Sequence, residues 1–256
     1  MFSETQIIVL IVIALLGHTM ALFWYFSDKR NARLCRKKIY NIPYKEGQIR
    51  REVLNSVHTP IHAIMLAGCL YFGFFTNQST FSFFVSFLGT FVWAEIWHYT
   101  SHRLLHLRKL HWIHREHHKS RVNSPFSAIS FSFSEKLVFN LGIMGLMVLV
   151  DIFVSVNFYG VAAWYIGYLL INSFSHANFE IKSAGYLKFV GKFLTSTTYH
   201  SLHHSRYINN YGLGTRFLDR LLGTEWRDYE ELYQRLTEAK SPLNDINEKL
   251  PPYENS

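Results

Sequence analysis

The sequence predicts an all-α integral membrane protein, with about four to five transmembrane or membrane-embedded helices and a cytosolic, helical, histidine-rich cap that binds metal. Apolar residues make up 49% of the 256 residues and charged residues only 17%, which is below the roughly 25% of soluble proteins. The apolar residues cluster in runs that are long enough to cross a hydrocarbon core of about 30 Å. The chain also contains 14 histidines and only two cysteines, and the low cysteine count excludes a disulfide scaffold.

The first apolar run extends from Gln6 to Phe26 and carries no formal charge. Basic residues follow this run instead of preceding it, so we interpret residues 1–28 as a retained transmembrane helix and not as a cleaved signal peptide. Six cations lie between Lys29 and Lys38. Such a block is typical of a cytoplasmic flank at anionic headgroups, and it predicts a basic cytosolic linker over residues 29–56. No nucleic-acid partner is expected, because no base-stacking or groove-reading motif accompanies the charges.

Two further pairs of apolar runs complete the predicted bundle. Val57–Thr76 and Thr80 to about Ser101 form one pair. Leu137–Val154 and Phe158–Phe174 form the other, which either spans the membrane fully or enters it as a shallower hairpin. If the basic block is cytoplasmic, counting the crossings places the segment between the two pairs, and everything after the last run, on the cytoplasmic side.

The domain boundaries follow from these runs. Residues 57–235 are predicted to form a catalytic domain, and residues 236–256 a polar tail. The segment from Lys240 to Ser256 contains Pro242, Pro251 and Pro252. Because proline interrupts regular helices and strands, we expect this segment to be loose.

Eleven of the histidines concentrate in two stretches, from His98 to His118 and from His176 to His204. His98, His102 and His106 are four residues apart, so they lie in a row along one helix face. Two His-x-x-His-His boxes, which begin at His114 and His200, place their histidines at positions i, i+3 and i+4, which also share one helix face. A neutral imidazole offers one lone pair to a metal. The candidate metal ligands are His98, His102, His106, His114, His117, His118, His176, His200, His203 and His204.

The number of candidate ligands favours two ions, because a zinc site usually takes four ligands or three plus water. Imidazole ligands suit iron that works on dioxygen, although they also bind zinc, copper and nickel. The remaining four histidines are predicted to pack against other side chains or to cap helices: His18, His58, His62 and His111. Transporters place their ligands near the bilayer midplane, so a histidine-rich metal transporter is a distant alternative for a cluster beyond the helix ends.

Several stretches of the chain resemble the fatty acid hydroxylase/sterol desaturase superfamily of membrane di-iron oxidoreductases. The resemblance covers roughly Phe81 to Tyr229. The matching stretches are Trp97–His106, Leu110–Ser120, Tyr199–Tyr207, Asn210–Gly212 and Asp219–Thr224. Ser175–Glu180 is similar to the plant wax-forming aldehyde decarbonylases, whereas Trp97-His98-Tyr99 is similar to the sterol 4-methyl oxidases.

The resemblance implies two iron ions, bound by the box histidines at the cytosolic membrane face, and O2 as co-substrate. It implies hydroxylation of a lipid C–H bond, fatty acyl or sterol-type, with desaturation, demethylating oxidation and aldehyde deformylation as alternatives. The chain contains no Gly-x-Gly-x-x-Gly, so no bound NAD or flavin is expected, and electrons would come from a partner such as cytochrome b5 or a ferredoxin with its reductase. The host membrane would be the endoplasmic reticulum in a eukaryote or the inner membrane in a bacterium.

One departure from the superfamily pattern lies after His176. Some hydroxylases carry a second histidine there, whereas this chain has Asn178, Phe179 and Glu180. One ligand is therefore absent, or is replaced by His98, by Asn178 or by water. Candidates for hydrogen bonding to the ligands are Asn178, Glu180, Asp219, Glu95 and Glu116.

Overall fold

The computed structural model describes residues 2–250, and this part of the chain is helical, with isolated β-bridges but no strand. The helices that share the core of the membrane bundle are α1 (Glu4–Arg30), α4 (Ile61–Tyr71), α5 (Thr80–Leu105), α7 (Phe133–Asp151) and α8 (Phe158–Ser175). The short helices α2 (Ala32–Cys35) and α3 (Gln48–Asn55) lie between α1 and α4 in the chain. The helices of the cap are α6 (His111–His118), α9 (Thr197–Arg206), α10 (Phe217–Leu221) and α11 (Tyr229–Gln234). The predicted all-α class is confirmed.

Four segments within residues 2–250 are long and apolar enough to cross a membrane, which identifies an integral membrane protein. They are Glu4–Arg30, Gln48–Tyr71, Thr80–Leu105 and Phe133–Asp151. The second of these joins α3 and α4 through a turn at Pro60. Side chains from α1, α4, α5, α7 and α8 share one apolar core.

Helix α8 is the central element of the bundle and is not one of the four candidate spans. Val161 and Tyr165 are fully buried in the bundle core, and Leu169 is nearly so. Close packing against α5 depends on Gly160, because a Cβ at this position would lie 2.5 Å from the carbonyl oxygen of Phe83. The second predicted hairpin therefore consists of one outer span, α7, and one enclosed helix.

A second apolar core lies in the cap, around α9 and α11. The fully buried Tyr199 and Leu202 of α9 pack there with Tyr229 and Tyr233 of α11. The segment after the basic block adds Ile39 and Tyr40, which are also buried. Residues 38–40 thus pack against the cap, and the predicted linker is part of the folded structure.

The prediction of a loose segment after Lys240 is wrong for its described part, which ends at residue 250. Leu243 is fully buried, and its backbone N–H donates to the carbonyl of Ile39. Arg235 pairs with Glu248 across the final turn. One buried leucine anchors an otherwise polar segment, which explains why composition alone indicated a tail; residues 251–256 lie outside the described part.

Candidate metal centre

Nine histidines from four parts of the chain converge into two adjacent groups. Within each group, one ring nitrogen per residue lies within 4.8 Å of the others. The first group, called the five-histidine group, consists of His102, His106, His114, His118 and His203. The second, called the four-histidine group, consists of His117, His176, His200 and His204. Every member is buried except His106, which is half-buried.

The two boxes divide their histidines between the groups in opposite ways. On α6, His114 and His118 join the five-histidine group, and His117 joins the other. On α9 the pair at i and i+4, His200 and His204, joins the four-histidine group, and His203 joins the first. Residues at i and i+4 differ by only about 40° around a helix, whereas i+3 and i+4 differ by about 100°. One His-x-x-His-His box therefore serves two sites.

The remaining members lie where two helices of the bundle end. His102 occupies the last turn of α5, and His106 caps that helix. His176 caps α8. Both helices thus end at the two boxes, and the row at four-residue spacing that the sequence predicts along α5 contributes its last two members to the five-histidine group.

Backbone carbonyls determine which ring nitrogen of several histidines carries the proton. His102 Nδ1 donates to the carbonyl of Tyr211 over 2.8 Å, His176 Nδ1 to that of Asn172 over 2.7 Å and His204 Nδ1 to that of Ser120 over 3.1 Å. A carbonyl oxygen only accepts, so each Nδ1 holds the proton, and the Nε2 of each neutral ring holds a lone pair. Nδ1 of His117 and His203 likewise donates to carbonyls of Ser130 and Asn209.

The Nε2 atoms of these rings face the Nε2 atoms of neighbouring histidines. His176 Nε2 lies 3.0 Å from Nε2 of His200 and 3.4 Å from Nε2 of His117, and His203 Nε2 lies 3.0 Å from Nε2 of His118. For His176 and His117, Nδ1 holds the proton of each ring, so no hydrogen is left to lie between their Nε2 atoms. The Nε2 atoms of His102, His106 and His114 are buried without a hydrogen-bond partner. Converging buried lone pairs are the arrangement that a metal cation stabilises.

Burial keeps the imidazoles of both groups neutral. It lowers the pKa of His176 to about 4 and that of His106 to about 2. Burial also lowers the pKa of His118 and of His203 well below the usual value, and the neighbouring histidines add to the effect. Neutral imidazole is the form that binds metal, so both groups are in the ligating form at neutral pH.

A cavity of about 50 Å³ lies beside the histidines, between α4, α5, α7 and α8. Rings from both groups line it, among them His102 and His117. Its other walls are largely apolar and include Ile129, Phe131 and Phe139. Such a cavity restricts water next to the metal-binding nitrogens, and its apolar walls suit a hydrocarbon chain.

Comparison with known proteins identifies the family. Residues 87–224, more than half of the chain, match the sequence model of the family described as fatty acid hydroxylase. The chain belongs to the fatty acid hydroxylase family. The superfamily predicted from the histidine boxes is thereby confirmed, and the two histidine groups of this family member are candidate metal sites.

The curated relatives include plant proteins. The very-long-chain aldehyde decarbonylase GL1-7 of Oryza sativa subsp. japonica is 31% identical over 158 residues, which are 60% of this chain and 25% of the relative. The very-long-chain aldehyde decarbonylase CER1 of Arabidopsis thaliana is 29% identical over 158 residues, with the same shares of 60% and 25%. Protein CER1-like 2 of the same plant is 24% identical over 254 residues, 94% of this chain and 40% of the relative. The chain thus spans less than half the length of these relatives, and no solved structure gives a significant match.

Among the predicted ligands of this fatty acid hydroxylase family member, His98 is outside both groups. It lies one helical turn before His102, about 6 Å deeper along α5 at 1.5 Å per residue. Its ring lines the cavity at 5.2 Å from the ring of His102. Its Nε2, like that of His102, is buried without a hydrogen-bond partner, so the role of His98 as a ligand stays a prediction.

The other histidines outside the groups have separate partners. His62 bonds to Asn140 over 2.8 Å, and His18 bonds to Ser56 over 3.0 Å. His58 packs on Phe133. His111 lies beside His106, with ring centroids 5.9 Å apart, and contributes to neither group.

Two of the predicted hydrogen-bonding candidates hold the backbone around the histidines. Asp219 accepts from the N–H groups of Tyr211 and Gly212 over 2.9 and 2.7 Å, and the Tyr211 carbonyl is the one that receives His102 Nδ1. Glu180 accepts from the backbone N–H of Thr198 in the first turn of α9. Burial raises the pKa of both carboxyls, while these hydrogen bonds act in the opposite direction.

The remaining candidates have other partners. Asn178 accepts from the backbone N–H of Tyr40 and donates to the carbonyl of the same residue, so it fastens the segment after the basic block and does not replace a ligand. Glu95 accepts from Thr215, and Glu116 accepts from Asn55.

Glu135 lies directly against the five-histidine group and is not among the residues predicted from the sequence. His114 Nδ1 donates to Glu135 Oε1 over 2.5 Å, and both side chains are buried. A carboxylate at this position fixes the ring orientation and makes the opposite nitrogen a stronger ligand. The available signal was the charged pair Glu135 and Lys136 at the start of an apolar span, since ionisable residues within membrane segments are usually functional.

Proposed function

We propose that this protein is a membrane-bound di-iron oxidoreductase that uses O2 and external electrons to hydroxylate a lipid C–H bond. One observation carries the proposal: nine neutral histidines form two adjacent groups whose ring nitrogens converge. Five and four nitrogen ligands match two ions, and the shared helices α6 and α9 keep the two sites side by side. The nine residues of both groups are the proposed ligands.

Iron is the proposed metal because an all-nitrogen set without thiolates suits an ion that reacts with dioxygen. When bound, iron would supply the redox chemistry. The chain's own residues orient the ligands and keep water out. Glu135 holds the proton at Nδ1 of His114, and backbone carbonyls hold it at Nδ1 of five other members of the groups.

The electron donor is proposed to be a separate protein, such as cytochrome b5 or a ferredoxin with its reductase. His106 is the one member of the two groups that is half-buried and not buried, and exposed Arg103, Arg108 and Lys109 lie close to it in the chain. A basic surface next to the most accessible ligand favours docking of an acidic carrier. With the basic block after α1 on the cytosolic side, this surface is cytosolic as well.

Aldehyde deformylation is the second candidate reaction. The names of the rice GL1-7 and Arabidopsis CER1 proteins describe decarbonylases of very-long-chain aldehydes. The same pair of metal sites is proposed for either reaction, and the two candidates differ in the product.

Lipid mass spectrometry of cells that express the protein, beside His203→Ala, tests the proposal. We expect a lipid that gains the mass of one oxygen atom in wild type and loses this gain in His203→Ala, whereas His111→Ala, outside both groups, retains it. A chain shortened by one carbon would instead support deformylation, and a loss of two hydrogens would support desaturation. If no lipid changes in a His203-dependent manner, the proposed enzyme function is wrong.

A further inference from the structure

Lys136 is a buried amine with no carboxylate within ion-pair distance in the described part of the chain. It lies in the first turns of α7, within a candidate membrane span, and is only 3% exposed. Within residues 2–250 it forms no ion pair. The acidic residue next to it, Glu135, is bonded to His114 instead. A buried charge is costly unless it is paired, so the absence of a carboxylate requires an explanation.

In its charged form, the side chain of Lys136 has one more hydrogen than its protein partners accept. Lys136 Nζ donates to the carbonyl of Asn55 over 3.2 Å and to Thr59 Oγ1 over 3.3 Å. Thr59 Oγ1 can accept this bond because it donates its own hydrogen to the carbonyl of Ser56. An ammonium has three donors, and one therefore remains for a ligand.

Lys136 shares its cavity with the histidines. The same cavity of about 50 Å³ is lined by Lys136, by Thr59 and by rings from both groups. Its remaining walls are mostly apolar, with Val138 and Phe139 from α7 and Leu169 from α8. A ligand that fits these walls is an apolar chain with one oxygen-bearing end.

We propose that Lys136 binds the terminal carbonyl-type oxygen of an acyl lipid, an aldehyde or a carboxylate, and so places the adjoining carbons against the two histidine groups. This assignment rests on the proposed function and specifies its substrate class. Lys136 and rings from both histidine groups line the same cavity. The proposal therefore places the carbon that reacts near the bound oxygen, and not at the methyl end.

Covalent trapping tests the position of the polar end without turnover. Octadecanal and cyanoborohydride are added to the full-length protein in nanodiscs. Where the aldehyde meets an amine, imine formation releases water, and hydride reduces the C=N bond to a stable secondary amine that peptide mass spectrometry locates. We expect labelling at Lys136 that excess octadecanoate blocks, while labelling of the exposed Lys188 is not blocked. The inference is wrong if Lys136 is not labelled, or if octadecanoate has no greater effect there than at Lys188.

Turnover with matched substrates separates substrate binding from a structural role. For Lys136→Met we expect KM to rise at least tenfold for octadecanal or octadecanoate and to stay unchanged for octadecane, with Lys136→Arg restoring part of the loss. Lys188→Met is the control and should match wild type. If Lys136 only tied the end of α3 to α7, Lys136→Met would lower thermal stability and activity towards all three substrates alike, and this result would overturn the inference.

The outcomes also distinguish this inference from the proposed function. If octadecanal labels Lys136 in competition with octadecanoate but no lipid is ever oxidised, the substrate site stands and the oxidoreductase proposal fails. If lipids are oxidised in a His203-dependent manner but equally well by Lys136→Met, the function stands and the role of Lys136 fails. Oxidation of octadecanoate near its methyl end would also contradict the proposed placement.

Discussion

Asp219 is expected to control metal binding at the five-histidine group from outside it. The buried carboxylate accepts from the backbone N–H groups of Tyr211 and Gly212, and the carbonyl of Tyr211 receives His102 Nδ1 over 2.8 Å. Asp219 Oδ1 also accepts from Thr224 Oγ1 over 2.7 Å. The carboxylate therefore fixes the loop whose carbonyl sets the orientation and the protonated nitrogen of His102.

The substitution Asp219→Asn replaces one acceptor oxygen by a donor without changing shape. Oδ1 has two partners and Oδ2 has only Gly212, so the amide group is best placed with its NH2 facing the Gly212 N–H. One hydrogen bond is lost and two buried donors face each other, which costs about 1–3 kcal/mol. Because residues that orient a ligand typically change metal affinity by about 10–100-fold, we expect a loss in this range at the five-histidine group.

Chelator titration of the purified protein, followed by metal analysis, measures this effect. Asp219→Asn is combined with His204→Ala, which weakens the four-histidine group, and separately with His203→Ala, which weakens the other. The affinity loss should occur only in the first combination. Asp151→Asn is the matched control, because Asp151 accepts from the backbone of Phe75 at the far end of α7 and should change stability alone. Equal losses in both combinations, or none in either, would refute the role assigned to Asp219.

Three further outcomes are expected. His203→Ala and His204→Ala should each lower the bound metal from two ions to one, as measured by mass spectrometry of the metal content, and retention of two ions in either would contradict the assignment to separate groups. Gly142→Ala should lower the melting temperature in detergent, because its Cβ would lie 1.8 Å from the Trp97 ring and overpacking costs about 1–3 kcal/mol, whereas Gly145→Ala has open space and should not. The metal-free protein should lose stability as pH falls below about 6.5. Burial lowers the pKa of the clustered imidazoles, so the unfolded chain binds protons there that the folded chain does not. Thermal unfolding at pH 7.5 and 5.5 measures this effect, and it would show no difference if these rings were not held neutral.

Local spacing was enough to predict which histidines matter but not how they are shared. The i, i+3, i+4 pattern places His114, His117 and His118 on one side of a helix, and this is a property of the helix alone. The division of this box between two groups depends on where α9 crosses α6, which no local pattern records. His98 fits the same spacing as His102, yet it lies one turn earlier on α5 and belongs to neither group.

Contacts between distant parts of the chain explain the other differences. Glu135 lies 21 residues after His114 and on another helix, so only the tertiary fold reveals their hydrogen bond. Leu243 is a single apolar residue in a polar stretch, and one residue has no periodicity that could predict burial. The helical spans were predictable because a membrane requires a continuous apolar run, which is a local property of the sequence.

The ligands of the two groups are linked through the backbone of α6 and α9, and residues of the cap hold the end of α9 in place. His117 and His118 are consecutive in the chain, as are His203 and His204, so any shift of α6 or α9 moves ligands of both groups at once. The end of α9 is held by Ser205, which receives a hydrogen bond from Tyr40 over 2.6 Å, and by the buried ion pair of Arg206 with Asp228.

Segments far from the histidines thus determine the separation of the two groups. Tyr40 follows the basic block, and the backbone N–H of Asn41 donates to the carbonyl of Leu243 near the end of the described chain. A perturbation at either segment reaches α9 through Ser205. Because α9 supplies ligands to both groups, such a perturbation changes the two groups together, whereas Asp219 holds the loop whose Tyr211 carbonyl accepts from His102 of the five-histidine group.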